Sequence, residues 1–360
     1  MPANLGAGGL ARRFLVLAAV AAFVLLFPLG SDSYANDAAK ATIFAIVGLS
    51  MNVLVGYTGQ ISLGHQAFVG LGALTAANVA NTGTSLADPF SLGYSMVAAA
   101  VIPGVVALLL GAIALRITGL YLALVTLVFG TVMADAIFTL NSLNGRAAGK
   151  PAFRPDILAS NYRFYLFGLV ILALVTYVDF WITRTKVGRG LIALRDDERV
   201  AQSFGVNVLA YKLLGFSVSG AMAGLAGGVF AFWTQQFSDK DFTSTAGFNF
   251  ALIFVVMVVV GGLGNRVGVI IASAFFAVLD PLLAGIFDKL GASNFYIDHK
   301  FYLTSLIGAT LLLQTVIMNP GGLGQAIGPV TRWLGGARFS MRHHDAAAVT
   351  QTQTTASVRA

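Results

Sequence analysis

Apolar runs long enough to cross a membrane, separated by short polar breaks, recur along the chain from Phe14 to Met318. A hydrocarbon core about 30 Å thick needs about 20 apolar residues per helix. On that measure spans are predicted at about 14–30, 38–55, 66–80, 95–115, 119–140, 163–183, 211–233, 247–263, 268–287 and 301–318. The runs are continuous and lack the roughly 10-residue alternation of a membrane β-strand, which selects helices over a barrel. The expectation is an all-α polytopic membrane protein of about ten transmembrane helices. Residues 1–13 then form a cytoplasmic N-terminus, 14–318 the transmembrane domain and 319–360 a cytoplasmic, largely disordered tail. That tail, Ala/Thr/Gln-rich from Ala346 to Ala360, offers no apolar face to bury.

Composition agrees with the pattern. Hydrophobic residues make up 57% and charged residues 10%, at a mean hydropathy of +0.81, too little polar matter to coat a water-soluble globule. The net charge of +7 has a topological cause and does not call for nucleic acid. With both termini inside, 14 of the 22 Lys and Arg fall on the cytoplasmic side and 8 outside, in the sense of the positive-inside rule. The loop after the fifth span, carrying Arg146, Lys150 and Arg154 with Arg163 beside it, runs against the rule. Arg12-Arg13 ahead of the first run, with Ser33-Tyr34-Ala35 behind it, also allows a cleaved signal peptide, although the run is long for one. The chain has no Cys, which removes disulfides, thiol catalysis and thiolate metal sites.

Two stretches break the apolar pattern informatively. The second span enters a Gly-rich segment with Gly56, Gly59, Gly64, Gly70 and Gly72, interleaved with Asn52, Tyr57, Gln60, Ser62 and His65. Polar groups facing lipid are costly, and irregular backbone at membrane depth survives only against protein or water, so this break is expected to line a substrate pathway. An ordinary tight turn followed by small-residue helix packing would give the same composition. A second cluster, Gly261-Gly262-Leu263-Gly264, hints at two related halves. His65 stands apart from His299, His343 and His344, so a packing or pore role fits it better than metal ligation. Asp135, Asp179 and Asp280 fall inside apolar runs. Asp135 and Asp179 lie toward span ends, within reach of the interface, whereas Asp280, followed by Pro281, is placed deeper at a helix break.

The other stretch, 184–210, is the one dense block of charge and contains Glu198, the chain's single Glu. Leu191, Leu194, Ala201, Phe204 and Val208 recur at helical steps, predicting an amphipathic helix over 189–208 with these residues on one face, which needs a surface to cover it. Asp196, Asp197 and Glu198 in its middle favour a protein groove over anionic lipid as its partner. Gly188-Arg189-Gly190 and Gly205 would let it pivot. No nucleotide-binding, metalloprotease or nucleophile-elbow motif is present, and Gly149-Lys150 is followed by Pro151 where a phosphate loop needs Ser or Thr.

These residues carry a resemblance. Val187 to Ala201, followed by Gly205-Val206-Asn207, resembles the ATPase-coupling loop of the branched-chain amino acid permeases of bacterial ABC importers. Asn52 to Phe68 resembles that family's signature, and Gly119 to Leu127 with Gly261 to Gly264 extend the match over about 40–325. The resemblance implies a non-catalytic, multi-pass permease of the bacterial inner membrane. It implies a second permease subunit as heterodimeric partner, two ATPase subunits that hold ATP and Mg, and a periplasmic binding protein that delivers the cargo. No cofactor is implied on this chain. The expected ATPase-coupling residues are Gly188, Arg189, Arg195, Asp197, Glu198, Ala201 and Gly205. The expected pathway residues are Asn52, Tyr57, Gly59, Gln60, Ser62, Gly64, His65 and Tyr121. The general coupling pattern of such importers is Glu-Ala-Ala with Gly four residues after the second Ala; here Glu198 sits one place early. Branched-chain amino acids are the expected cargo, with urea or short amides as the alternative on the same scaffold. A proton-coupled carrier using one of the three intramembrane Asp residues is the rival from another transport class.

Overall fold

The computed structural model describes residues 7–80, 89–115, 119–145, 149–242, 244–318 and 321–334. The chain runs α1 (Ala7–Leu26), α2 (Asp32–Met51, prolonged by a π-helical stretch Asn52–Tyr57), α3 (His65–Ala80), α4 (Pro89–Ala114) and α5 (Leu120–Val132, prolonged to Ile137). A four-residue α6 (Asn141–Asn144) precedes α7 (Asn161–Arg184), α8 (Lys186–Asp196), α9 (Glu198–Ser203) and α10 (Val208–Thr234). The chain continues with α11 (Ser244–Gly261), α12 (Arg266–Lys289), α13 (Ser293–Met318) and α14 (Gly322–Leu334). Each of the ten apolar runs coincides with a helix. Among the described residues, six helices are long and apolar enough to cross a membrane: α2, α4, α5, α7, α10 and α12. The protein is therefore an all-α, multi-pass membrane protein. Most of the proposed C-terminal tail and the first six residues lie outside the described residues.

Local sequence sets the helix starts. Ser31 accepts from the Tyr34 amide at 3.2 Å ahead of α2, Asn207 from Ala210 at 3.1 Å ahead of α10, and Asn265 from Gly268 at 3.0 Å ahead of α12. Each satisfies one of the amide groups a helix leaves unpaired at its N-terminus.

α3 is the centre of the protein. It is buried along nearly all its length, and small residues let α10 close on it and α4 close on α10 in turn. A β-carbon on Gly72 would overlap the carbonyl of Gly224, one on Gly227 would overlap the carbonyl of Val69, and one on Gly224 would overlap that of Ala99. Lipid tails are as apolar as the helices, so close van der Waals packing of this kind holds membrane helices together. Gly227→Val is expected to prevent the seam from closing, read as loss of folded protein after detergent extraction; a yield equal to wild type would count against it.

At one end of the bundle, β1 (Lys150–Pro151) and β2 (Gln236–Phe237) pair antiparallel, Lys150 opposite Phe237. Arg154 donates there to the carbonyls of Phe232 and Trp233, each at 2.8 Å, and to Asn161 at 2.7 Å, with its guanidinium over the Phe164 ring. It satisfies carbonyls that the last turn of α10 leaves without partners. Burial lowers its pKa, partly countered by the charge of Asp32. One of the cations that ran against the positive-inside rule thus has a structural employment.

Asp280 does not sit at a helix break. α12 is continuous through Pro281, and the Tyr296 hydroxyl donates to both the backbone carbonyl and the carboxylate of Asp280, clasping α13 onto α12.

Candidate functional site

α2 ends in a π-helical turn at Asn52–Tyr57, and Gly59 to Gly64 run without helical hydrogen bonding before α3 starts at His65. Gly59 adopts φ +69°, a conformation that favours glycine, and a β-carbon on Gly64 would overlap the Thr126 carbonyl. The expected Gly-rich break therefore exists, and the small-residue packing weighed against it exists as well, one helix further on.

Two polar clusters meet at the break. In the first, Asn52 spends both ends of its amide: Oδ1 accepts from the Gly264 amide at 2.8 Å and Nδ2 donates to the Tyr57 hydroxyl at 3.3 Å. Tyr57 donates to Asp179 Oδ2 at 3.2 Å, and Arg266 Nε donates to the same oxygen at 2.8 Å. Arg266 Nη2 also donates to Thr183 at 2.7 Å. Asp179 is fully buried, so the expectation that it reaches the interface is corrected: it is neutralised in place by Arg266, which ties α7 to α12. An ion pair at this depth offsets the cost of taking both charges out of water only through such dense hydrogen bonding.

The second cluster surrounds the start of α3. His65 is fully buried, and its Nε2 lies 2.7 Å from Ser50 Oγ. Ser50 gives its own hydrogen to the Val47 carbonyl, so His65 is the donor to Ser50 and Nδ1 is the bare nitrogen. That nitrogen, Ser62 Oγ and Gln66 Oε1 are buried with no hydrogen-bond partner. Three unsatisfied polar atoms within five residues are costly unless something visits them. Gln60 is buried nearby, while Gly59 lies exposed beside Arg195. Tyr121 does not join the group: it is 72% exposed on the outer face of α5.

The charged insert is two helices where one was expected. Asp197 is extended and caps α9, accepting from the Arg199 and Val200 amides at 2.8 and 3.1 Å. This cap satisfies the α9 amides at the cost of helical continuity. Leu191, Leu194 and Ala201 are buried against this chain itself, whereas the break turns Phe204 outward, where it is 83% exposed. Gly188 and Gly190 are sites of close approach inside α8, against Ile182 and the Tyr211 ring, so they are not pivots. Gly205, at φ +78°, does make the turn out of α9. Glu198 pairs with Lys212, which is buried in α10.

Arg195 joins the insert to the break. Its Nη1 donates at 2.6 Å to the carbonyl of Gly56, which has no helical donor ahead of it because α2 stops at Thr58. Arg195 also lies against Gly59 and Gly264. Of the expected coupling residues, Arg195, Asp197, Glu198 and Ala201 thus make defined contacts within this chain, whereas the sequence alone gave no sign of Lys212 or Arg266.

A family model described as the permease component of a branched-chain amino acid transport system matches residues 33–318. The chain belongs to that family. Its relatives include the high-affinity branched-chain amino acid transport permease LivM of Salmonella typhimurium, 27% identical over 88% of this chain and 76% of the relative. The probable LivM of Methanocaldococcus jannaschii is 25% identical over 78% and 90%. The ribose import permease RbsC of Haemophilus influenzae is 27% identical over 87% and 93%. No solved structure matches. For a permease of this family, the two clusters and the insert are the parts whose chemistry remains to be assigned.

Proposed function

We propose that the chain is one of two permease subunits of an ABC importer, passing branched-chain amino acids that a binding protein delivers. All ten long helices are assigned to the membrane in this reading, with both termini and the α8–α9 insert cytoplasmic. Two ATPase subunits, which hold ATP and Mg, dock on the insert. Ile192, Val200 and Phe204 supply the apolar contact, being 39%, 52% and 83% exposed on a polar hairpin. The expected coupling residues act in two ways: Arg195 and Glu198 transmit motion, and Asp197 and Gly205 fix the hairpin's shape. The unsatisfied groups of Ser62, His65 and Gln66 receive the polar end of the cargo as it passes the break.

One observation carries the reading: the 2.6 Å bond from Arg195 to the Gly56 carbonyl, which gives hairpin movement a direct grip on the broken end of α2. A charge-assisted hydrogen bond contributes roughly 1.5–3 kcal/mol. Arg195→Ala is therefore expected to lower ATP-driven leucine uptake at least about tenfold in proteoliposomes of the assembled importer, while the ATPase still co-purifies. Unchanged uptake would remove the transmission role. Uptake by the lone chain, driven by a pH gradient without ATP, would replace the whole reading with the proton-coupled one.

A further inference from the structure

A cavity of about 730 Å³ lies under the C-terminal end of α1, walled by α2, α7 and α12. It is separate from the break and from the insert. Its roof is lightly attached: α1 is held by Tyr162 and Tyr165, whose hydroxyls donate to the carbonyls of Leu25 and Val24 at 3.1 and 2.9 Å, and by Phe27 stacked on Tyr34. Phe23 and Phe27 are 65% and 51% exposed, so the cavity opens sideways past aromatic rings.

The polar groups of the lining are unevenly placed. Thr42, deep in the groove, donates to the carbonyl of Ala39, and the Tyr165 hydroxyl is spent on α1. Asp37 and Lys289, one of each charge, sit near the start of α2 and the end of α12 and so mark one mouth. From Asp37 to Ala45 the α2 wall descends about 12 Å, and from Lys289 to Ile270 the α12 wall descends about 28 Å, at about 1.5 Å per residue. An acyl chain that fills one leaflet, half of a hydrocarbon core about 30 Å thick, or ~15 Å, fits within that length. A site of this form matches a molecule with a cation and an anion at one end and a long apolar body. A free amino acid would match the mouth and leave most of the groove empty.

We infer that this groove holds the acyl chain of a zwitterionic phospholipid, with Lys289 toward the phosphate and Asp37 toward the amine of an ethanolamine headgroup. The lipid serves as a filler that fastens α1 to α2, α7 and α12, and its exchange with the bilayer proceeds through the aromatic side opening.

The test uses the full chain, purified in mild detergent from membranes containing phosphatidylethanolamine and phosphatidylglycerol, with retained lipid counted by native mass spectrometry. Wild type is expected to keep about one phosphatidylethanolamine per chain. Gly285 lines the groove, and a β-carbon there meets nothing within 4 Å, so Gly285→Phe fills the space without a clash at its root. It should reduce the retained lipid at least about tenfold, whereas Gly93→Phe, equally open but on α4, should not. Asp37→Asn should shift retention toward phosphatidylglycerol, because Lys289 and Lys40, whose charge acts on Asp37, then lack that counter-charge, and excess leucine should displace nothing. Equal loss in both phenylalanine variants, an unchanged headgroup ratio in Asp37→Asn, or release of the bound molecule by leucine would each overturn the assignment. The headgroup ratio is informative even if Gly285→Phe fails to fold.

Discussion

Arg266→Ala is expected to destabilise the protein by about 3–5 kcal/mol, the range for stripping a buried charge of its partner. Native stabilities are only about 5–15 kcal/mol, so little folded material should survive extraction. Asp179→Ala should cost less, and the asymmetry follows from burial. Asp179 is fully enclosed and already has one oxygen without a partner, whereas the Arg266 side chain is 27% exposed and can reach toward polar surroundings. Replacing both residues with leucine should recover much of the loss, since an apolar pair carries no desolvation penalty. The measurement is a double-mutant cycle on thermal stability in detergent. Equal and additive effects of the two single changes would show that the pair is not coupled and that the fastening of α7 to α12 lies elsewhere.

Phe204→Ala should leave folding intact and weaken ATPase binding by about 2 kcal/mol, close to 30-fold in Kd. The residue is 83% exposed in this chain alone, so it contributes almost nothing to the fold, and a large aromatic projecting from a polar hairpin is the type of group that dominates an interface. Val200→Ala, at a less exposed and smaller side chain, should cost several-fold less. The check is ATPase titration onto the permease in nanodiscs, with thermal stability recorded beside it. Unchanged affinity would place the docking surface elsewhere on the molecule.

Much of the fold was legible in the sequence because lipid imposes a single crude demand, length of apolar helix, on each span. The break after α2 was legible for the related reason that glycine and polar residues are expensive in lipid without a purpose. What escaped was set by distance in three dimensions. Asp179 looked like an interfacial residue because nothing in its own helix reveals that Arg266, 87 residues on, curls back to it. Lys212, at the start of the seventh predicted span, gave no sign of its pairing because its partner Glu198 lies across a turn. Phe204 was grouped on one face with Leu191 and Leu194 because periodicity assumes an unbroken helix, and the Asp197 cap resets the phase. Tyr121 was grouped with the pathway by resemblance, and in this chain it is 72% exposed, apart from the buried polar clusters at the break.

The order of donors around Asn52 has a consequence for proton traffic. Hydrogens point from the Asn52 amide to Tyr57 and from Tyr57 to Asp179 Oδ2, the oxygen that Arg266 also grips. A relay needs a first member that can surrender a proton and take up another, and a carboxamide nitrogen does neither at physiological pH. The chain of hydroxyl and carboxylate therefore starts at a dead end on the Asn52 side, and there the row of polar groups behaves as a clamp across α2, α7 and α12.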